Sequence, residues 1–86
     1  MSAYFVALLP AARRDLKRLP TEVHQRIVAA VSKLEENPRP PGSKKLVGSE
    51  NEWRLRVGDY RVLYAVEDAD RQVLIARVAH RREAYR

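Results

Sequence analysis

Residues 51–66 read NEWRLRVGDYRVLYAV, and their two-residue period decides the fold. Trp53, Leu55 and Val57 alternate with Arg54 and Arg56, and beyond Gly58-Asp59 the residues Tyr60, Val62, Tyr64 and Val66 alternate with Arg61, Leu63 and Ala65. Strict alternation of apolar and polar side chains is the signature of a half-buried strand, and a two-residue Gly-containing break between two such runs is that of a tight hairpin. A turn at Gly58-Asp59 pairs Val57 with Tyr60, Arg56 with Arg61, Leu55 with Val62 and Arg54 with Leu63. Cross-strand partners share a face. Trp53, Leu55, Val57, Tyr60, Val62 and Tyr64 therefore fall on one side, the core side, and Arg54, Arg56 and Arg61 converge on the other.

Working outward, residues 3–9 suit a first strand, and Pro10 stands where a helix can begin, because its missing N–H costs nothing in a first turn. Ala12, Leu16 and Leu19 supply the buried stripe of that short helix. Pro20 opens a second helix, expected to run to about Asn37, in which Val23, Ile27, Val31 and Leu34 recur on one face. The helical hairpin reads as core packing on one side and solvent on the other, not as a membrane-surface element. A Pro-rich connector around residues 38–43 leads to the hairpin, and a third run, residues 72–79, follows Asp68-Ala69-Asp70. The expected fold is α+β: a small antiparallel β-sheet in the order β-α-α-β-β-β, with the N-terminal helical hairpin packed on one face. With a three-residue last turn, Leu74, Ala76 and Val78 enter the core, and Arg77 joins the arginine face with Arg81 on the same parity. Leu63, Ala65, Val73 and Ile75 are then left as an apolar patch that needs a cover.

Eighty-six residues allow a single domain, residues 1–86. At 45% hydrophobic and 33% charged the chain is globular rather than disordered. Seventeen Lys+Arg against eleven Asp+Glu give a net charge of +6, which makes polyanions the first partners to consider. The absence of cysteine removes disulfides, thiolate nucleophiles and thiolate metal sites together, and a reducing cytoplasm is the simplest compartment. The two isolated histidines, His24 and His80, make no metal site, and no cofactor motif is present. The opening apolar run is stopped at once by Pro10, too short for a signal peptide or membrane span.

Like charges opposed across a strand pair destabilise it, and a purely structural surface would intersperse carboxylates. An anionic ligand is expected on the arginine face. The guanidinium fork suits phosphate, so a nucleic-acid backbone is the natural candidate. His24 lies on the second helix away from this cluster and Trp53 reads as core. Lys44 and Lys45 precede the hairpin on a rim of the same face.

With these features in place the chain resembles the RelE/ParE family of toxins from bacterial toxin–antitoxin pairs. The resemblance is carried by NEWRLRVGDYRVLYAV, by the helical hairpin ending in Glu36-Asn37-Pro38, by Lys44-Lys45-Leu46-Val47-Gly48 and by the tail HRREAYR at residues 80–86. It spans essentially the whole chain. It implies a prokaryotic cytoplasmic toxin, silenced by a cognate antitoxin in a hetero-oligomer. The RelE branch enters the A site of the 70S ribosome and cuts messenger RNA there; the ParE branch inhibits DNA gyrase and lacks the catalytic set. By position, Arg54, Arg56, Arg61, Arg81 and Tyr85 match the RelE catalytic residues, and this favours a metal-independent endoribonuclease over a gyrase inhibitor or an inactive binding relative.

Cleavage of this kind needs the 2′-hydroxyl deprotonated, the phosphorane charge held and the 5′-oxygen protonated. Arginines hold charge but stay protonated, and the family's strand lysines are here Arg54 and Arg56. His80 is the expected acid/base participant, with positioning and charge stabilisation by the arginines as the alternative. Tyr85 is expected to stack on a base or bond a phosphate. Lys44, Lys45, Arg77 and Arg82 are expected to contact messenger or ribosomal RNA. The sequence stops one residue after Tyr85, and the expected cover for the apolar patch is the antitoxin, with acidic residues against the arginines.

Overall fold

The computed structural model describes residues 3–82. Strand β1 (Phe5–Leu8) leads into α1 (Pro10–Lys17), whose first helical position is Pro10, and then into α2 (Thr21–Lys33), with Pro20 as its N-cap. Helix α2 ends four residues earlier than expected. Leu34 is its C-cap, and the chain turns through residues 34–36. The apolar stripe is as read: Ile27 and Leu34 are fully buried, and Val23 and Val31 pack against the core. Four strands follow, β2 (Ser43–Lys45), β3 (Glu52–Val57), β4 (Tyr60–Glu67) and β5 (Gln72–His80).

These form one five-stranded sheet in the order β1-β5-β4-β3-β2. The architecture is α+β, but the sheet is mixed rather than antiparallel. Strand β1 lies parallel to β5, with Phe5 opposite Gln72 and Leu8 opposite Ile75. Alternation tells which face of a strand is buried and is silent on its neighbour and polarity. The helical hairpin carries the chain away from β1, and the last strand returns beside it. Strand β2 is the other departure. Ser43-Lys44-Lys45 has no apolar alternation because it is an edge strand, and lysine on an edge discourages further pairing.

The β3–β4 register is the one the turn dictates: Val57 opposite Tyr60, Arg56 opposite Arg61, Leu55 opposite Val62 and Arg54 opposite Leu63. The β4–β5 register differs from expectation twice. Glu67 pairs with Gln72, so the turn has four residues, and its last, Arg71, has φ 52°. This places Val73 and Ile75, not Leu74 and Ala76, in the core. The register then shifts again between Leu63 and Tyr64: Tyr64 faces Ile75 and Leu63 faces Arg77, which leaves Ala76 as a bulge residue. Two one-residue displacements cancel, so Val78 is buried as expected. The open-face apolar patch is correspondingly Leu63, Ala65, Leu74 and Ala76, none of them fully buried.

The core joins Ala12 and Leu16 of α1, Ile27 of α2 and Leu34 to Leu55, Val62, Tyr64, Val66, Val73, Ile75 and Val78 of the sheet. Each large aliphatic group removed from water contributes roughly 1.5–3 kcal/mol. Buried Tyr64 donates its hydroxyl to the Pro38 carbonyl at 2.8 Å, and burial pushes its phenol above the usual value. This bond pins the connector to the sheet. Half-buried Trp53 packs on the core as expected, with the Arg39 guanidinium 5.3 Å from its ring centroid. Arg39 also bonds Asp68 at 2.7 Å, and Tyr4 donates to the same carboxylate at 2.7 Å, which ties the N-terminus, the connector and the β4–β5 turn together.

Candidate active site

The sheet face away from the helices carries the cations. Lateral pairing puts Lys44 of β2 beside Arg54 of β3, and Arg56 of β3 beside Arg61 of β4, so the four side chains form two adjacent rows on one face. Together with Gly42 and Ser43 they line a cleft of about 350 Å³. Among the described residues its lining contains four cations and no carboxylate. Arg61 sits deepest, at 8% exposure, whereas Arg56 and Lys44 are exposed and Arg54 is half-buried. Guanidinium keeps its proton at any accessible pH, so the cleft concentrates fixed positive charge in partly desolvated surroundings, where each charge acts more strongly than in bulk water. It suits a multiply charged oxyanion, and a phosphodiester with its flanking phosphates matches the size and sign.

One wall was not legible in advance. Gly42 takes φ +95°, and a Cβ there would meet Leu55 Cδ1 at 3.8 Å and the Arg56 carbonyl oxygen at 3.9 Å. The Gly42 carbonyl accepts the Arg56 N–H at 3.2 Å, and Ser43 Oγ donates to the Pro40 carbonyl at 2.7 Å. The Pro40-Pro41-Gly42 turn thus lays β2 against β3 and turns Lys44 into the cleft. Pro-Pro-Gly was the available signal for a turn, but its sheet neighbour was not.

The remaining candidates divide. Lys45 pairs with Trp53, so its side chain belongs to the opposite face from Lys44 and the expectation of a shared rim fails for it. Arg77 does not join the cluster. Its Nε and Nη2 donate to the Asp15 carboxylate of α1 at 2.8 and 3.2 Å, and the Val78 N–H donates to the same carboxylate at 2.9 Å. The bulge at Ala76 frees the strand locally and lets Arg77 reach the helix. Burial alone would raise the Asp15 pKa, but these hydrogen bonds and the Arg77 and Arg18 charges hold it below the ordinary carboxylate value.

His80 pairs with Tyr60 and meets its ring edge-on, centroids 5.3 Å apart. The Arg61 row continues through Ala79 instead, so strand parity sets His80 on the opposite side of the sheet from Arg54, Arg56 and Arg61. Its Nδ1 accepts the Arg82 N–H at 3.3 Å, and Arg82 itself is exposed. The expected acid/base histidine is therefore not brought into the cleft. The two-residue period of β5 is the reason: His80 is two residues beyond core-facing Val78 and shares its side of the sheet, a consequence that the expected register carried as well. Arg81 keeps the cleft-side parity and is anchored by its N–H to the Asp59 carbonyl at 2.7 Å, beside the β3–β4 turn. Tyr85 lies outside the described residues. Among the described residues no three His, Cys, Asp or Glu side chains gather into a metal-binding group.

Comparison with known proteins gives this geometry its context. The family model for the ParE toxin of type II toxin–antitoxin systems, parDE, matches residues 6–85. The chain belongs to this toxin family. Within it the chain is a RelE-type toxin by similarity: it is 38% identical over 84 residues to Toxin RelE of Mycobacterium tuberculosis, covering 96% of this chain and 87% of that protein. The RelE of the archaeal RelE–RelB complex from Pyrococcus horikoshii superposes with a TM-score of 0.84 at 29% identity, covering 94% of this chain and 98% of that one. The RelBE2 toxin–antitoxin complex of M. tuberculosis matches with a TM-score of 0.81 at 32% identity, over 91% of this chain and 98% of its counterpart. No described helix is long and apolar enough to cross a membrane.

Proposed function

We propose that this RelE-type toxin is a ribosome-dependent endoribonuclease that cuts messenger RNA in the A site of the 70S ribosome and so arrests translation. The convergence of Lys44, Arg54, Arg56 and Arg61 in one cleft carries this reading. Arg61, deep and rigidly held in mid-sheet, grips the scissile phosphate, and Arg54 and Arg56 stabilise the charge that grows as the 2′-hydroxyl attacks phosphorus. The P–O5′ bond then breaks, the 2′-hydroxyl proton passing to solvent water and the leaving 5′-oxygen taking one up from it, which leaves a 2′,3′-cyclic phosphate on one fragment and a 5′-hydroxyl on the other. Arg81 contributes a further cation from the cleft side of the β5 terminus, and Tyr85 stacks on a neighbouring base. Lys44 follows the flanking backbone, and exposed Arg82 reaches ribosomal RNA.

Among the described residues lining the cleft there is no histidine or carboxylate to take a proton, and His80 belongs to the other face. The chain therefore acts by positioning and charge stabilisation, and the ribosome holds the 2′-hydroxyl in line for attack. This makes the free protein nearly inert on naked RNA and places its action in the cytoplasm, where ribosomes are. As in the RelE–RelB complexes, a cognate antitoxin binds the toxin in a hetero-oligomer, with acidic residues set against the arginines.

Purified toxin added to a reconstituted translation system tests the reading, with cleavage mapped by primer extension. Wild-type protein should cut at the A-site codon, and exposed Arg56→Ala should lose on the order of 10²-fold in rate while remaining folded. Gyrase inhibition without cleavage would overturn the proposal in favour of the ParE-type alternative.

A further inference from the structure

Strand β5 ends at His80, and residues 80–82 are each held by a different contact. Tyr60 and His80 form the last pair of the β4–β5 ladder, and their rings meet edge-on, centroids 5.3 Å apart and planes at 79°. One residue further, the Arg81 N–H donates to the Asp59 carbonyl at 2.7 Å. The Arg82 N–H then donates back to His80 Nδ1 at 3.3 Å. A side-chain acceptor that takes the N–H two residues on is the pattern by which Asx turns fix a local bend, and here an imidazole supplies it.

Arg81 sits between the two residues so joined. It keeps the parity of Ala79, the partner of Arg61, two residues and about 7 Å further along the strand. That placement has opponents. Arg81 is exposed, lies beyond the last ladder pair, and is on the side of a cleft that already holds Lys44, Arg54, Arg56 and Arg61. Like charges repel it, and ordering a long side chain at a strand terminus costs entropy. A backbone held on both sides of Arg81 offsets these losses before any phosphate arrives.

We propose that His80 is a positioning residue for Arg81: its ring packs on Tyr60, its Nδ1 clamps Arg82, and the turn so fixed directs the Arg81 guanidinium towards the phosphate in the cleft. His80 itself touches no reacting atom. An Nδ1 that accepts carries no proton, so the hydrogen of the ring belongs on Nε2. A cation set in place in advance stabilises the growing phosphorane charge without reorganisation at the moment of attack, so the gain falls on the chemical step more than on binding. The clamp rests on the geometry alone; its consequence for rate rests on the nuclease reading above.

Two substitutions separate the parts of the contact. His80→Phe keeps a ring against Tyr60 and deletes the acceptor, whereas His80→Asn supplies an Oδ1 acceptor in place of Nδ1 and deletes the ring. Single-turnover cleavage of messenger RNA on programmed ribosomes gives the maximal rate and the half-saturating toxin concentration, with circular dichroism as the folding control. His80→Phe should lower the maximal rate by roughly tenfold with half-saturation unchanged, and His80→Asn should recover it to within roughly threefold of wild type. In an Arg81→Ala background, His80→Phe should change the rate by less than about twofold, since the group it positions is gone. Full activity of His80→Phe would overturn the proposal, as would losses that add to those of Arg81→Ala. So would a His80→Asn as slow as His80→Phe, the result expected of a histidine that transfers protons itself. Imidazole nitrogen and backbone amide NMR shifts need no cleavage: wild type should show the Nε2–H tautomer, and the Arg82 amide should move in His80→Phe. An Nδ1–H tautomer would overturn the clamp. Should wild-type toxin cut no messenger RNA, the nuclease reading fails while these signals still decide the clamp.

Discussion

Removing the Asp15 carboxylate should damage this fold more than an ordinary ion pair would. Asp15 accepts two hydrogen bonds from Arg77 and one from the Val78 N–H, immediately after the bulge that resets β5. The Asp15 side chain is 12% exposed and that of Arg77 is 55% exposed, so the ion pair is partly screened and worth at most about 1 kcal/mol. The Val78 N–H is different, because a half-buried donor left without its acceptor costs about 1–3 kcal/mol. Asp15→Ala should therefore lose about 2–4 kcal/mol, whereas Asp15→Asn, which keeps an oxygen for Val78, and Arg77→Ala should each lose about 1 kcal/mol. At this size each kcal/mol lowers the melting midpoint by roughly 4–8 °C. Urea unfolding followed by circular dichroism gives the three values. Equal losses for Asp15→Ala and Arg77→Ala would refute the anchoring argument and reduce Asp15 to a surface ion pair.

Three further outcomes follow from particular residues. Gly42→Ala places a side chain at φ +95° and should cost about 1 kcal/mol by urea titration, together with a loss of cleavage activity as β2 and Lys44 shift; unchanged stability would show that the turn tolerates the strain. Deleting Ala76 removes the unpaired bulge residue and leaves Ile75 opposite Tyr64 and Arg77 opposite Leu63, so the protein should keep a cooperative thermal transition; loss of that transition would mean that the bulge itself is needed to hold β5. Lowering pH should destabilise the fold below about pH 4, because Asp15 and Asp68 have depressed folded-state pKa values, Asp68 chiefly through its hydrogen bond from Arg39, and their contribution is complete above the unfolded carboxylate value and lost as pH falls beneath it. The Arg39→Ala/Asp15→Asn double variant should flatten that acid limb in a pH series of urea titrations, and an unaltered limb would assign it to other carboxylates.

The hairpin was legible to the residue because its information is local: alternation set the faces, Gly58-Asp59 set the register, and Arg54, Arg56 and Arg61 had no alternative but to meet. The same reasoning applied to β5 failed where the local signal ran out. Asp68-Ala69-Asp70 marks a turn without counting its residues, and Arg71, a non-glycine residue at positive φ, adds the fourth. An Ala in an apolar run gives no sign that it will bulge. The first step explains why Val73 and Ile75 are core and the second why Val78 returns to it; His80 faces away from the cluster because it shares the parity of Val78. Strand β2 was missed because three polar residues on a sheet edge have no apolar face to betray them.

Composition and periodicity alone determined a single basic α+β domain, its helical hairpin, its central strand pair and the arginine face, since each depends on neighbours a few positions apart along the chain. Tertiary structure decided the rest: that β1 runs parallel to β5, that Lys44 completes the cleft, and that Asp15 captures Arg77. These relations join residues far apart in sequence, and they follow from how two helices and a bulged sheet fill space together, which no local pattern encodes.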